Sequence, residues 1–250
     1  VVKANAGLPD PVTNTYNVLP DEFADTCKEM VKYGAKVLGG CCGTTPAYVA
    51  KLKEMVATVN ASVVKKKPRQ LAVCTPLKTV VVDQPRIVGE RINPTGKKRF
   101  KQALRDNDMN YILSQAIEQI DAGADILDVN VGSPDIDEKE MMVKVIKALQ
   151  AIVDVPLQID STKPEVLEAA LRVYNGKPIV NSVNGEEEVL DTILPIVAKY
   201  GGAVIGLALD ENGIPPTAEG RVEIAKRIRD KAMSYGIPKE DIIIDCLTLT

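Results

Sequence analysis

The sequence has no histidine and no tryptophan among its 250 residues, and only two phenylalanines. Without imidazole there is no Ser–His or Cys–His nucleophile pair, no imidazole metal ligand and no histidine general base. Acid–base work therefore falls to carboxylates, thiols, Tyr, Lys or water. Aromatics are 4% of the chain, too few for a base-stacking platform. A formal net charge of −3 and a pI near 5.3 offer no broad basic surface, so no nucleic-acid partner is expected. No apolar run approaches the roughly 18 residues of a membrane helix, so no membrane partner is expected either. The chain opens Val1-Val2-Lys3-Ala4-Asn5, with neither Met nor a charged segment leading into an apolar one. That opening reads as the absence of a signal peptide and as a piece cut from something longer. The five cysteines stand at 27, 41, 42, 74 and 246. Their odd number argues against a disulfide framework and for a reducing cytoplasm.

What is present is a repeating pattern. At 45% apolar and 26% charged, the chain can bury one sizeable core or parts of two. From Arg86 onward, short apolar runs ending in polar residues alternate with amphipathic stretches. The expected strands are 87–93, 126–131, 157–160, 179–181, 203–210 and 242–245, rich in Val, Ile and Leu as buried parallel strands are. Between them, Ile112, Leu113, Ala116, Ile117 and Ile120 form one helical stripe. Met141, Met142, Val145, Ile146 and Leu149 form a second, and Val166, Leu167, Ala170 and Leu171 a third. A fourth helix over 186–200 contains Pro195, which predicts a kink or a late start. A fifth is expected over 217–235. Six such repeats mean an α/β fold of the (β/α)8 TIM-barrel type, about two repeats short of closure. An open doubly wound sheet is the alternative, although its Gly-rich fingerprint is missing.

The first 60 residues read as a shorter piece of the same kind. Strands are expected at 1–3 and 36–40, and helices at 20–34 and 46–59. The chain thus divides into residues 1–60, a connector over 61–85 that includes the basic run 65–69, and residues 86–250. Both barrels are incomplete.

Two constellations could carry chemistry. The first is Gly39-Gly40-Cys41-Cys42-Gly43-Thr44-Thr45-Pro46. Adjacent thiols at a strand end can reach one metal if the backbone turns sharply, and glycines permit that turn. Zinc wants about four ligands, so two Cys need a third donor from outside. Buried packing is the plainer reading of such a pair. The second constellation puts Glu90 and Asn93, Asp128 and Asn130, Asp160, Asn181, Asp210 and Asp245 at successive strand ends. Barrel enzymes place their sites there, and a ring of carboxylates and carboxamides suits a flat, nitrogen-rich heterocycle. Caps on the following helices would explain Ser161 and Asp210 equally well. Cys27, Cys74, Cys246 and Met141-Met142 read as packing or connector residues. Arg91 reads as a salt-bridge partner of Glu90.

Asn5-Ala6-Gly7-Leu8-Pro9, Pro20 with Phe23, and the Gly39–Pro46 run closely resemble the last two strand–helix units of the homocysteine S-methyltransferase barrel. That resemblance implies that Cys41 and Cys42, with a third Cys outside the chain, hold a zinc that binds the thiol of homocysteine. Gly89-Glu90-Arg91-Ile92-Asn93-Pro94-Thr95-Gly96, Leu127-Asp128-Val129-Asn130-Val131-Gly132, Ile159-Asp160-Ser161-Thr162, Val180-Asn181-Ser182 and Ile244-Asp245 resemble, in order, the pterin-binding barrel of methyltetrahydrofolate:corrinoid methyltransferases. Dihydropteroate synthase is a more distant relative.

This second resemblance implies that Asp160, Asn181 and Asp245 hydrogen-bond the pterin of 5-methyltetrahydrofolate, with Glu90, Asn93, Asp128 and Asn130 lining the pocket. It also implies that Asp160 and Asn181 assist the chemistry. The two families in this order resemble the opening modules of a cobalamin-dependent, methionine-forming methyltransferase. Methylcobalamin would then be bound by another module or a corrinoid protein. A stand-alone folate:corrinoid methyltransferase, a pterin synthase and a non-catalytic folate-binding fragment are the alternatives.

Overall fold

The computed structural model describes residues 1–60 and 68–248. Of the basic run 65–69, only Pro68 and Arg69 fall among them. The chain divides into two compact units, Val1–Pro68 and Arg69–Thr250.

In the first unit, β1 (Val2–Ala4) pairs in parallel with β2 (Leu38–Gly40), with Val2 opposite Leu38. Between them runs α1 (Pro20–Lys32), and α2 (Pro46–Val56) follows β2. Both helices start on Pro, whose fixed φ suits a first helical turn and whose missing N–H would be unpaired there anyway. Phe23, Ala24 and Cys27 on α1 meet Tyr48, Leu52 and Met55 on α2. The Phe23 and Tyr48 rings pack edge to face at 5.5 Å. Cys27 is core, as its helical spacing implied.

The second unit begins with an antiparallel hairpin, β3 (Ala72–Cys74) and β4 (Thr79–Val81). There follow β5 (Val88–Ile92), α3 (Lys98–Asp106), α4 (Met109–Asp121), β6 (Ile126–Val129) and α5 (Glu138–Ile152). Then come β7 (Leu157–Asp160), α6 (Pro164–Val173), β8 (Ile179–Val183), α7 (Glu187–Tyr200), β9 (Ala203–Leu207), α8 (Ala218–Ser234) and β10 (Ile242–Asp245). Strands β5 to β10 form one six-stranded parallel sheet in simple sequence order. A doubly wound sheet reverses its order at a switch point, and this one does not, so the succession is that of a TIM barrel.

Strand alternation sorts the side chains. Leu127, Val129, Leu157, Ile159, Val180 and Val204 point outward into the core shared with the helices. On the opposite face, Ile126, Ile179 and Ala203 meet Val73 and Val80 of the hairpin. The hairpin therefore plugs one end of the barrel. Two residues beyond Ile126 and Ile179 on the same inner face come Asp128 and Asn181.

Three expectations need correction. The connector expected over 61–85 carries the hairpin from Ala72, and from Arg69 on it belongs with the second unit. Cys74 exchanges two backbone hydrogen bonds with Lys177, both at 3.0 Å, and Arg69 and Lys177 pair with the buried Asp241 at 2.7 and 2.5 Å. Gly176 makes the close approach workable, since a Cβ there would collide with the Cys74 carbonyl. Helix α3 was not expected at all. Helix α7 does not start late: it runs from Glu187 continuously through Pro195, with Leu190, Ile193, Leu194 and Val197 buried. No helix among the described residues is long and apolar enough to cross a membrane.

Candidate functional site

The inner-face polar residues of β6, β7 and β8 form two neighbouring hydrogen-bond networks. In the first, the carboxylate of Asp128 is the acceptor. Gln158 Nε2 donates to its Oδ1 at 2.6 Å and Asn181 Nδ2 donates to the same oxygen at 3.3 Å. In the second, Asn130 Nδ2 donates to Asp160 Oδ2 at 2.9 Å, while Asn130 Oδ1 accepts the Gly132 N–H at 2.8 Å. Each end of the Asn130 carboxamide thus has one protein partner, which holds Asp160 in place and leaves a second N–H and a second carbonyl lone pair for other bonds.

Burial sets the electrostatics. Asp128 is only 3% exposed, and its pKa is raised to about 6. Desolvation is the largest cause, followed by repulsion from Asp160, and the donors Gln158 and Asn181 oppose it. Glu90 adds a smaller repulsion. Asp160 is shifted upward too, first by burial; the bond from Asn130 works against that, and Glu138 and Glu90 add to it. Three acidic groups, Glu90, Asp128 and Asp160, therefore share one end of the barrel.

An acid whose pKa is higher folded than unfolded binds its proton more tightly in the native state. Stability then falls as pH rises from 3.8 to about 6, and the full cost is present above that window. Asp128→Asn keeps an oxygen for Gln158 and Asn181 but removes the charge. The variant is expected to be more stable than wild type at neutral pH by up to about 3 kcal/mol. The gain should shrink toward zero near pH 4 in denaturation curves run across pH.

The remaining expected residues are placed less centrally. Asn93 is buried after β5, with its Oδ1 accepting the Thr95 N–H at 2.8 Å. Glu90 pairs with Lys97 at 3.0 Å, not with Arg91. Neighbours along a strand point to opposite faces, so Arg91 is poorly placed to meet it. Asp245 ends the exposed edge strand β10 and accepts the Leu247 N–H at 2.8 Å; no hydrogen bond among the described residues links it to the two networks. Asp210 serves locally, accepting from Asn212 N–H and pairing with Arg227. Ser161 accepts the Lys163 N–H and donates to Glu138. Neither Asp210 nor Ser161 caps the helix that follows, because α6 starts after Lys163 without a side-chain cap and α8 is capped by Thr217, so the capping expectation is corrected for both. The residue that sequence reasoning missed is Gln158. Its signal was there: it is the one polar side chain inside the Leu157–Ile159 run, two places before Asp160.

Cys41 and Cys42 lie in the turn after β2, exposed, with their sulfurs 3.9 Å apart. Cys41 N–H bonds to the Ala4 carbonyl and Cys42 N–H to Asn5 Oδ1, which ties the turn to β1. Gly43 takes φ +81 against the Tyr16 ring, where a Cβ has no room. Two thiolates on a tetrahedral zinc with bonds of about 2.3 Å sit about 3.8 Å apart. The pair thus matches one edge of such a site. Among the described residues no group of three or more Cys, Asp or Glu completes it.

A family model described as pterin binding enzyme matches residues 89–250, and one described as homocysteine S-methyltransferase matches residues 1–56. The whole chain is 33% identical to a methionine synthase of Mycobacterium leprae and 34% identical to one of Mycobacterium tuberculosis. It spans only 22% of the length of each. Among solved structures, a Yersinia pestis dihydropteroate synthase superposes with a TM-score of 0.53 at 19% identity, covering 70% of this chain and 64% of that one. A Vibrio fischeri dihydropteroate synthase gives 0.51 at 19% identity, covering 70% and 66%. At that identity these two likenesses establish the barrel fold.

Proposed function

Because the chain belongs to the pterin-binding enzyme family, we propose that its second unit binds the pterin of 5-methyltetrahydrofolate and presents the N5 methyl group for transfer to cob(I)alamin. The cobalamin is held by another domain or a corrinoid protein, and it supplies the strong nucleophile that accepts the methyl. In the first unit, Cys41 and Cys42 would hold zinc together with a donor from outside these residues. When bound, that zinc keeps the sulfur of homocysteine as thiolate at neutral pH, and the product of the second transfer is methionine. Similarity over the whole chain to two methionine synthases supports pairing these two roles.

The observation that carries the reading is the polarity of the inner face. Gln158, Asn181 and Asn130 each donate an amide N–H to Asp128 Oδ1 or Asp160 Oδ2. Among the described residues that leaves Asp128 Oδ2, Asp160 Oδ1 and Asn181 Oδ1 as open acceptors. A tetrahydropterin offers the complement, an amino group and ring N–H donors on a flat ring. Asp160 and Asn181 are the residues we assign to direct contact, with Asp128, Asn130, Asn93, Glu90 and Asp245 lining the pocket around them.

Methyl transfer breaks the N5–CH3 bond, and N5 leaves well only when protonated. A carboxyl held near neutrality by burial can share a proton with the ring, which is general-acid assistance without histidine. A pterin synthase reading draws on the fold neighbours alone and leaves the Cys41–Cys42 turn without a role.

Titration of 5-methyltetrahydrofolate into the full-length protein is expected to give saturable binding, with methyl transfer to free cob(I)alamin following. Binding without transfer would reduce the role to folate binding. No binding would end the reading.

A further inference from the structure

We propose that Gln158 is a positioning residue for this site, fixing which oxygen of Asp128 remains open to a ligand. The two residues are direct cross-strand neighbours, Asp128 on β6 opposite Gln158 on β7. Side chains so placed on one face of a sheet are held within reach of each other by the strand register itself. Gln158 Nε2 takes Asp128 Oδ1 at 2.6 Å, shorter than the 3.3 Å bond from Asn181 to the same atom. Gln158 is itself buried, as is Asp128.

The charged groups facing Asp128 are Asp160 on β7 and Glu90 on β5, both negative. The Lys97 ammonium is engaged with Glu90. No Lys or Arg among the described residues is recorded in an ion pair with Asp128. The ionised form is therefore held by two neutral amides, and Gln158 is the closer of them. An apolar side chain at 158 would leave that carboxylate with the weaker donor alone, and the carboxyl would keep its proton to higher pH. Oδ2 is the acceptor left open here, and a protonated carboxyl accepts a ring N–H there less well than the carboxylate does. Ligand binding would then depend on pH over a window where wild type is insensitive. This consequence for binding rests on the pterin reading above; the hold of Gln158 on Asp128 does not.

The test uses Gln158→Met, close in shape but without the donor, and Gln158→Glu, which keeps the shape and sets a second carboxyl against Asp128. Titration of the Asp128 carboxyl by carbon NMR in the ligand-free protein is the first readout. In Gln158→Met it should move up from about 6 by about one unit. In Gln158→Glu the two carboxyls should share a proton and move further. The second readout is 5-methyltetrahydrofolate affinity against pH. A loss of about two-fold at pH 7 that deepens to about five-fold at pH 6 and recovers in alkaline buffer supports positioning, because a merely structural defect would persist at every pH. If Gln158→Met does not fold, the Glu variant carries both readouts. Asp128 titrating as in wild type in the folded variants overturns the proposal. A shifted titration with no folate binding by any form, wild type included, upholds the hold on Asp128 and retires the pterin reading instead.

Discussion

Asp160→Ala is expected to weaken 5-methyltetrahydrofolate binding at least ten-fold, about 1.5–3 kcal/mol for losing a charged hydrogen-bond partner. Asp160 closes β7, and Asn130 holds its Oδ2 at 2.9 Å, which leaves Oδ1 open. An oriented carboxylate costs little to order when the ligand arrives, so its removal forfeits most of the bond. Asn130→Ala should cost less, since it frees the carboxylate to rotate without removing it. Calorimetric titration of both variants would rank them. Equal affinity in Asp160→Ala and wild type would move the ligand away from this end of the barrel.

Val73→Asp is expected to cost about 4 kcal/mol of stability, the scale of a charge buried without a partner. Val73 is fully buried against Ile126, Ile179 and Ala203. Around it, Cys74 is bonded to Lys177 on both sides. A carboxylate at 73 would meet hydrocarbon on every face. The denaturation midpoint should drop accordingly, whereas an unchanged midpoint would mean the hairpin detaches from the barrel without loss.

The six barrel strands were legible because parallel strands buried on both faces are written as near-continuous Val, Ile and Leu. The hairpin was not. Its strands, Ala72–Cys74 and Thr79–Val81, are three residues each, too short to show a period of two. Helix α3 hides its three buried residues, Phe100, Ala103 and Leu104, among Lys98, Arg99, Lys101 and Arg105.

At the site, the aspartates could be read from their recurrence at strand ends, but their division of labour could not. Asn130 and Asn181 look alike in sequence. Only the geometry shows that one has a protein partner at each end while the other keeps an oxygen free. Gln158 was masked by the apolar residues on either side of it, which face outward where it faces in. The pairing of Glu90 with Lys97 spans a loop, and loop geometry leaves no mark in local spacing.

The hairpin also decides where this protein can be cut. A fragment beginning at Arg86 would match the periodic part of the sequence yet discard the barrel's floor, baring Ile126, Ile179 and Ala203 to water. It would also strip Asp241 of its bond from Arg69. A recombinant version starting a few residues ahead of Arg69 retains both, and is the shorter of the safe designs for isolating the pterin-family unit.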